Sequence, residues 1–266
     1  MTDESADRPV AGERHAEPAA DEERAANPTA EERRTGPVLG VFAHPDDAEI
    51  GAGGTMAKWA SQGRDVHLLI LTNGNKGSQV IGQDPDELAR TRASETAAAG
   101  RTLGLKDVRV LETPDGELEN VHGVRAAVAR RIREIRPVVV LSCDPTTWFV
   151  GSRYINHADH RAAGAIACDS VFPGAGNPQF FEDQIAEGLE PWDVPEVWLS
   201  WSMEPNHHED ITGFLRAKLD ALAAHESQVE GDMLGFFEEW LPLESAEAGK
   251  SIGVEHAESF RRLELR

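Results

Sequence analysis

The sequence has little cysteine and no long hydrophobic run. Cys143 and Cys168 are its only cysteines in 266 residues, too few for a disulfide framework, and we expect both to be reduced and buried. No stretch of about 18 uncharged apolar residues is present to span a bilayer, and the N-terminus lacks the pattern of a signal peptide. These absences predict a cytoplasmic protein that does not insert into membranes.

Basic residues are scarce compared with acidic ones. The 26 Lys and Arg residues face 47 Asp and Glu residues, which gives a net charge of −21. Such a charge repels phosphate backbones and anionic lipids, so the sequence predicts no nucleic-acid partner. The 40% of hydrophobic residues is enough for a substantial core, which excludes a wholly disordered or collagen-like chain.

Residues 1–36 almost lack large aliphatic side chains. Val10 is the only one after Met1, and the segment is otherwise rich in Ala, Glu, Asp, Arg and Pro. It buries too little apolar surface to offset the entropy lost on ordering. The sequence therefore predicts a disordered acidic tail over 1–36 and a single domain over 37–266.

From Pro37 onward, short apolar runs alternate with helical stretches. The predicted strands cover residues 38–43, 66–71, 108–111, 138–141 and 196–201, and the predicted helices cover 49–62, 85–103, 121–135, 158–171, 213–224 and 229–240. This alternation predicts an α/β, Rossmann-like fold with a mainly parallel sheet and helices on both faces. In the strand order 3-2-1-4-5, ligands bind where the first and fourth strands end side by side.

The first strand ends in a motif that carries an imidazole and two carboxylates, Ala43-His44-Pro45-Asp46-Asp47. A dinucleotide-binding turn would place its glycines here, whereas Gly51, Gly53 and Gly54 arrive later in the chain. Adjacent acids beside a histidine favour a cation site. The alternative is an ordinary turn in which Asp47 caps the following helix.

A second motif, Asn156-His157-Ala158-Asp159-His160, follows the fourth strand. The predicted strand order brings it opposite the first motif, so that His44, Asp47 and His160 would form a His₂-carboxylate site. That set, with one open position for water, is typical of catalytic zinc. The alternative is that these are ordinary polar residues at a helix start.

Other polar and aromatic residues are open to two interpretations. His207 and His208 either border the site or are ordinary loop histidines, and His225 either takes part in catalysis or interacts with a helix C-terminal dipole. The segment with Trp148, Phe149, Arg153 and Tyr154 is either a substrate lid or a packed Ω-loop.

Several motifs together resemble those of the PIG-L/LmbE-like zinc-dependent N-acetylglucosaminyl de-N-acetylase family. The resemblance spans residues 38 to 263. It rests on the two motifs above and on Gly51-Ala-Gly-Gly-Thr55, Thr72-Asn-Gly-Asn-Lys-Gly77, Arg92-x-x-Glu95, Asp115-Gly116, Asp210-Ile-Thr212, Lys218, Ala224-His-Glu-Ser-Gln228 and Ala257-Glu-Ser-Phe260.

The resemblance implies a role for each site residue. His44, Asp47 and His160 are the ligands of Zn²⁺ or another divalent ion. Asp46 is the general base, His157 stabilises the tetrahedral oxyanion, and Asp159 orients His157. Arg92 and Asp115 hold sugar hydroxyls, although Arg92 could instead pair with Glu95 within its helix.

By this resemblance the protein removes an N-acetyl group from an N-acetylglucosamine-type amino sugar or glycoconjugate, releasing acetate and a free amine. One alternative is an amidase for a larger glucosaminyl-inositol thiol conjugate, and another is a non-catalytic sugar-binding module. Ile155 stands where some family members have tyrosine, and Asn75 and Lys76 stand where an acid is frequent, which leaves the substrate open. The oligomeric state, including a homo-oligomer, is also left open.

Overall fold

The computed structural model describes residues 28–229 and 231–265. Its strands are β1 (Val38–Phe42), β2 (Val66–Thr72), β3 (Asp107–Thr113), β4 (Val139–Cys143), β5 (Phe149–Val150), β6 (Tyr154–Ile155), β7 (Glu196–Ser200), β8 (His207–Asp210) and β9 (Ala257–Glu264). Its helices are α1 (Ala30–Thr35), α2 (Asp47–Ser61), α3 (Pro85–Leu103), α4 (His122–Ile135), α5 (Ala158–Asp169), α6 (Glu182–Ala186), α7 (Leu215–Ala223) and α8 (Asp232–Lys250).

Seven of these strands form one sheet in the order β3-β2-β1-β4-β7-β9-β8. The first five are parallel, which confirms the predicted order 3-2-1-4-5 and the mainly parallel α/β fold. The antiparallel strands β9 and β8 extend the sheet beyond β7 and were not predicted. Both carry several charged residues, which is common near the edge of a sheet and weakens the sequence signal of a strand.

Two large hydrophobic clusters cover the sheet, one on each face. Val38 and Phe42 of β1 pack into one cluster with residues of α2, α3 and α7. Leu39 and Val41, which alternate with them, pack into the other cluster with residues of α4 and α5. Because both faces are covered, every residue of β1 is buried, and the end of this strand is held firmly.

The glycines of α2 allow this helix to approach its neighbours closely. A Cβ atom on Gly51 would lie 2.8 Å from the Ser200 Oγ, and one on Gly54 would lie 2.7 Å from the Ile211 Cδ1. Nearby, the buried Glu258 carboxylate accepts hydrogen bonds from the Gly54 and Thr55 backbone N–H groups at 3.0 and 2.8 Å. These glycines therefore serve packing, not phosphate binding.

The predicted tail over 1–36 is wrong for its last residues, because Ala30–Thr35 form α1. Thr29 and Glu32 make a reciprocal capping box at the start of this helix. Acidic residues lie in its first turn and basic residues in its last turn, which suits the helix dipole. Local hydrogen bonds thus order a segment that lacks apolar residues, and residues 1–27 of the predicted tail lie outside the described residues.

Helices α5 and α8 also differ from their predicted bounds. Helix α8 continues to Lys250 instead of ending at residue 240, and it contains Pro242. Helix α5 ends at Asp169, and the segment Ser170–Ala175 that follows it is kinked at Phe172, whose backbone is extended (φ −137°, ψ 122°). In the part of the chain that the structure describes, no helix is both long and apolar enough to cross a membrane.

Candidate metal centre and active site

The two histidine motifs meet at the carboxyl ends of β1 and β4, which are adjacent strands. The His160 Nε2 lies 3.1 Å from the Asp47 Oδ1, and the His44 and His160 ring centroids are 5.1 Å apart. More than a hundred residues separate the motifs in sequence, and the sheet order alone brings them together. The structure therefore places His44, Asp47 and His160 around one point, as the sequence predicts.

The ligand atoms of these three residues fit a single metal ion. One ligand atom from each of His44, Asp47 and His160 lies within 4.8 Å of the others. The His44 Nδ1 is 3.3 Å from the Asp47 Oδ2, while the opposite nitrogen, Nε2, lies 3.2 Å from carboxylate oxygens of Asp115 and Asp159. A carboxylate on the far nitrogen is the usual arrangement behind a metal-binding histidine. It leaves Nδ1 of His44 as the nitrogen free to bind a metal ion.

A hydrogen bond to Asn156 prepares His160 in the same way. The His160 Nδ1 lies 2.9 Å from the Asn156 Oδ1, an acceptor, so this nitrogen carries the proton and Nε2 has a free lone pair. The Asn156 Nδ2 donates to the Thr147 carbonyl oxygen at 2.8 Å, which fixes the amide. Sequence reasoning missed this role, although Asn156 stands within the second motif.

The charges of the cluster also suit a cation. Burial disfavours the charged form of His44. The carboxylates of Asp47, Asp115 and Asp159 nevertheless raise the pKa of His44 to about 12. Burial alone would raise the pKa of Asp47, but His160 and His44 hold it well below its usual range. Three carboxylates thus surround one imidazole, an excess of negative charge that a divalent ion would compensate.

Asp46 begins α2 in a strained conformation. Its φ of 99° is left-handed, which is rare for a residue other than glycine, and its side chain makes no capping hydrogen bond. Burial raises the pKa of Asp46 to about 7, and the negative charge of Asp47 acts in the same direction. Such a carboxyl group can accept and release a proton near neutral pH. The alternative role of Asp47 as a helix cap is wrong, because its carboxylate accepts from the His44 backbone N–H at 2.8 Å.

His157 is the N-cap of α5. Its Nδ1 accepts a hydrogen bond from the Asp159 backbone N–H at 3.2 Å, so the proton of a neutral ring lies on Nε2. The ring packs edge-on against His44 with centroids 4.7 Å apart. Burial lowers the pKa of His157, and the charge of His44 lowers it further. The ring is therefore a neutral donor through its Nε2–H.

Asp159 contacts His157 through its backbone N–H, and its carboxylate makes its hydrogen bonds elsewhere. One oxygen of this carboxylate lies 3.2 Å from the His44 Nε2 and 2.7 Å from the Gly116 backbone nitrogen. The other oxygen accepts from the Leu118 N–H at 3.3 Å. The Asp159 carboxylate therefore orients His44 and attaches the loop after β3 to the site, and it acts on His157 only through its charge.

Arg92 and Asp115, the predicted sugar contacts, both lie beside the metal cluster. The Arg92 guanidinium donates to the Gly74 and Gly77 carbonyl oxygens at 2.7 and 3.2 Å and is only 3% exposed. The alternative Arg92–Glu95 pair is wrong, because the Glu95 carboxylate accepts from the Ser227 N–H and hydroxyl. Arg92 thus holds the glycine-rich loop after β2, and direct sugar contact by Arg92 or Asp115 stays a prediction.

The remaining histidines lie outside the three-ligand set. His207 packs its ring against Trp198 on the outer strands, and the His208 Nδ1 lies 2.9 Å from the Ser259 Oγ. His225 is fully buried, with Nε2 3.4 Å from the Glu49 Oε2. Its neighbour Gln228 donates to the Pro45 carbonyl oxygen at 2.8 Å, so this helix end supports the turn that carries Asp46.

The aromatic segment before the second motif forms an antiparallel ribbon of β5 and β6 around Gly151. Phe149 and Tyr154 are exposed on this ribbon, and the Arg161 guanidinium lies 3.8 Å from the Trp148 ring centroid. An Ω-loop packed by its own side chains is therefore wrong. The lid role stays a prediction.

Comparison with known proteins gives consistent matches. Residues 39–171 match the model of the family PIG-L, described as GlcNAc-PI de-N-acetylase. A diacetylchitobiose deacetylase from Thermococcus kodakarensis is 35% identical over 224 residues, covering 84% of this chain and 82% of that protein. The 1D-myo-inositol 2-acetamido-2-deoxy-alpha-D-glucopyranoside deacetylase of Rhodococcus erythropolis is 32% identical over 238 residues, covering 72% and 81%. The solved N,N'-diacetylchitobiose deacetylase from Pyrococcus horikoshii, complexed with an inhibitor, superposes with a TM-score of 0.80 at 31% identity, covering 88% and 85%.

Proposed function

The chain belongs to the PIG-L family of de-N-acetylases, and from this premise we propose that it is a zinc-dependent hydrolase of N-acetylglucosamine-type amino sugars. The reaction breaks the amide C–N bond with water and yields acetate and a free amine. The observation that carries the proposal is the three-ligand set beside Asp46, whose pKa is raised to about 7. A module that only binds sugar would need no such carboxyl group.

We propose His44 Nδ1, an Asp47 oxygen and His160 Nε2 as the metal ligands. Two histidines and a carboxylate, with one coordination position left open, are typical ligands of catalytic zinc. The same ligands are less typical of other divalent ions. When bound, the ion supplies Lewis acidity, which polarises the amide carbonyl and lowers the pKa of water. The hydrogen bonds that the two imidazoles donate to the Asn156 Oδ1 and the Asp159 carboxylate hold them in the required tautomers.

Asp46 moves the proton. As a carboxylate it takes a proton from the attacking water, and as a carboxylic acid it delivers that proton to the departing amine nitrogen. A pKa near neutrality suits both steps, because the group is neither too weak a base nor too weak an acid. Its fixed position at the start of α2 keeps it beside the ligands during the reaction.

His157 stabilises the negative charge that develops on the carbonyl oxygen. Its Nδ1 is occupied by the Asp159 backbone N–H, so its Nε2–H is the donor available to the substrate. Donors that are in place before the reaction stabilise an oxyanion effectively, because they need no reorganisation.

The test is deacetylation by the zinc-loaded protein of N-acetylglucosamine, diacetylchitobiose and an N-acetylglucosaminyl-inositol. These substrates follow the names of the relatives, and the amidase acting on a larger glucosaminyl-inositol thiol conjugate remains a separate alternative. We expect equal amounts of acetate and primary amine from at least one of them, with loss of both products in Asp46→Asn. Absence of product from all three with stoichiometric zinc would overturn the proposal. A cytoplasmic location and the oligomeric state stay predictions.

A further inference from the structure

A large apolar chamber opens directly beside the metal ligands. Its volume is about 620 Å³, and Asp47 and His160 form part of its wall. The rest of the wall is mostly aromatic and aliphatic, and it includes Ile50, Tyr154, Trp201, Met203, Phe236 and Trp240. The methyl group of an acetamide is comparable in size to a water molecule, which takes about 30 Å³ in the liquid. The chamber is therefore far larger than deacetylation requires.

The position of Asp46 decides which part of the substrate faces this chamber. The acyl group and the amine lie on opposite sides of the carbonyl carbon, and Asp46 must reach the amine to protonate it. Three residues, Asp46, Arg92 and Asp115, lie on the side of β2 and β3. Arg92 donates to the Gly74 carbonyl oxygen at 2.7 Å, and a Cβ on Gly74 would lie 3.3 Å from the Cδ of Pro45, the neighbour of Asp46. The Asp115 N–H donates at 3.1 Å to the Asn75 Oδ1 of the same loop. Among the described residues, the chamber wall contains Asp47 and His160 but none of those three. The amine and its sugar thus lie on the polar side, and the acyl group points into the chamber.

We propose that the chamber is an acyl-binding pocket, and that the enzyme hydrolyses amino sugars whose N-acyl group is an apolar chain longer than acetyl. This proposal rests on the proposed amidase function and extends it from acetyl to longer acyl substrates. The bond changes are the same: water adds to the carbonyl carbon, the C–N bond breaks, and a fatty carboxylate leaves in place of acetate. Each methylene that the chamber removes from water adds binding energy that the acetyl group cannot supply.

The test compares N-acetyl-, N-butanoyl-, N-hexanoyl- and N-octanoylglucosamine with the zinc-loaded protein. Released glucosamine gives kcat/KM for each. A fully buried methylene is worth up to about a fourfold change, so we expect kcat/KM to rise by about tenfold or more from acetyl to hexanoyl. The hexyl glycoside of N-acetylglucosamine carries an apolar chain of similar length on the anomeric oxygen instead of the acyl group, and we expect a smaller effect from it.

Phe236→Ala tests the pocket wall itself. Phe236 is 54% exposed, so its truncation leaves the fold intact, and we expect the hexanoyl-to-acetyl ratio of kcat/KM to fall by about threefold or more. Tyr154→Ala, on the opposite ribbon, should lower the same ratio. Leu243→Ala is the matched control, because Leu243 is 72% exposed on the same helix, α8, and lies outside the chamber wall. It should leave the ratio unchanged.

Three results would overturn the acyl pocket. One is a kcat/KM that falls at every chain length beyond acetyl while acetyl is cleaved, which leaves the proposed function standing. Another is a gain with the hexyl glycoside alone, which would assign the chamber to the aglycone. The third is a change of sedimentation coefficient in Phe236→Ala with an unchanged ratio, which would assign the chamber to contact between copies of the chain. Cleavage of no substrate would instead remove the proposed function as well.

Discussion

At the scale of single residues, the site depends on how neighbours hold its histidines. His44 is fixed by Asp159 and Asp115 at Nε2, and His160 is fixed by Asn156 at Nδ1. In each case one ring nitrogen is committed, so the other faces Asp47. The sequence motifs supply the candidate ligand residues. These hydrogen bonds decide which nitrogen of each histidine is free to bind a metal ion.

Asp46→Asn should abolish proton transfer without removing the metal. The amide has nearly the shape of the carboxylate but cannot accept a proton, so we expect kcat to fall by at least about 100-fold, the lower end for a general base. Zinc content measured by atomic emission should remain near one per chain. If turnover stayed close to that of the wild type, Asp46 would not be the base.

Asn156→Ala should weaken metal binding. Loss of the acceptor for the His160 Nδ1–H frees the ring to rotate, and removal of such outer partners typically costs about 10- to 100-fold in metal affinity or activity. A zinc titration against a competing chelator measures the change. Asn177→Ala is the control, because the Asn177 side chain accepts from the Gln179 N–H in a turn outside the site. Equal zinc affinity in both variants would contradict the positioning role.

At the scale of elements, α2 is held by close contacts that its glycines permit. Gly51 approaches Ser200 at the end of β7, and Gly54 approaches Ile211. The buried pair of Glu258 and Lys218, with Nζ 2.6 Å from the Glu258 Oε1, lies against the same helix. Since α2 begins with the residues that carry the chemistry, its packing fixes where the site is built.

Gly54→Ala should destabilise the fold. The added Cβ would meet three atoms of Ile211 at 2.7 to 3.0 Å, and overpacking of this kind typically costs about 1–3 kcal/mol. Gly235→Ala in α8 is the opposite case, because no atom lies within 4 Å of the added Cβ and the helix gains about 1 kcal/mol from alanine. Urea unfolding measures both free energies. An unchanged free energy of unfolding in Gly54→Ala would mean that the Ile211 side chain can move aside without cost.

At the scale of the whole molecule, the metal centre lies at the rim of a complete core. The two hydrophobic clusters enclose the sheet on both faces and include no metal ligand. The fold and the reaction therefore depend on different sets of residues, although both depend on the position of β1.

Removal of the metal with a chelator should stop hydrolysis and leave the fold in place. Because the core is built without the ligands, we expect an unchanged far-UV circular dichroism spectrum and a lower Tm, since an ion that binds only the folded state stabilises it. Added zinc should restore activity. Loss of the far-UV signal on chelation would show that the ion is structural.

The sequence alone determined the parallel part of the fold and the residues that converge on the candidate site. Apolar runs alternating with helical stretches predicted β1, β2, β3, β4 and β7 in their observed order, because buried parallel strands need little besides apolar residues. The motifs at 43–47 and 156–160 predicted the residues that converge, because the ends of adjacent parallel strands meet at one edge of the sheet.

Only the tertiary structure decided the partners within the site and the shape beside it. The Asp159 carboxylate contacts His44 because the loop after β3 lies against the start of α5. The spacing of residues in the sequence does not predict this contact. Strands that carry several charged residues, such as β9, have a weak apolar pattern, so sequence reasoning missed them. The apolar chamber gathers walls from the β5–β6 ribbon, the segment after β7 and α8. Residues so far apart in sequence share no local signal, since their proximity exists only in the packed fold.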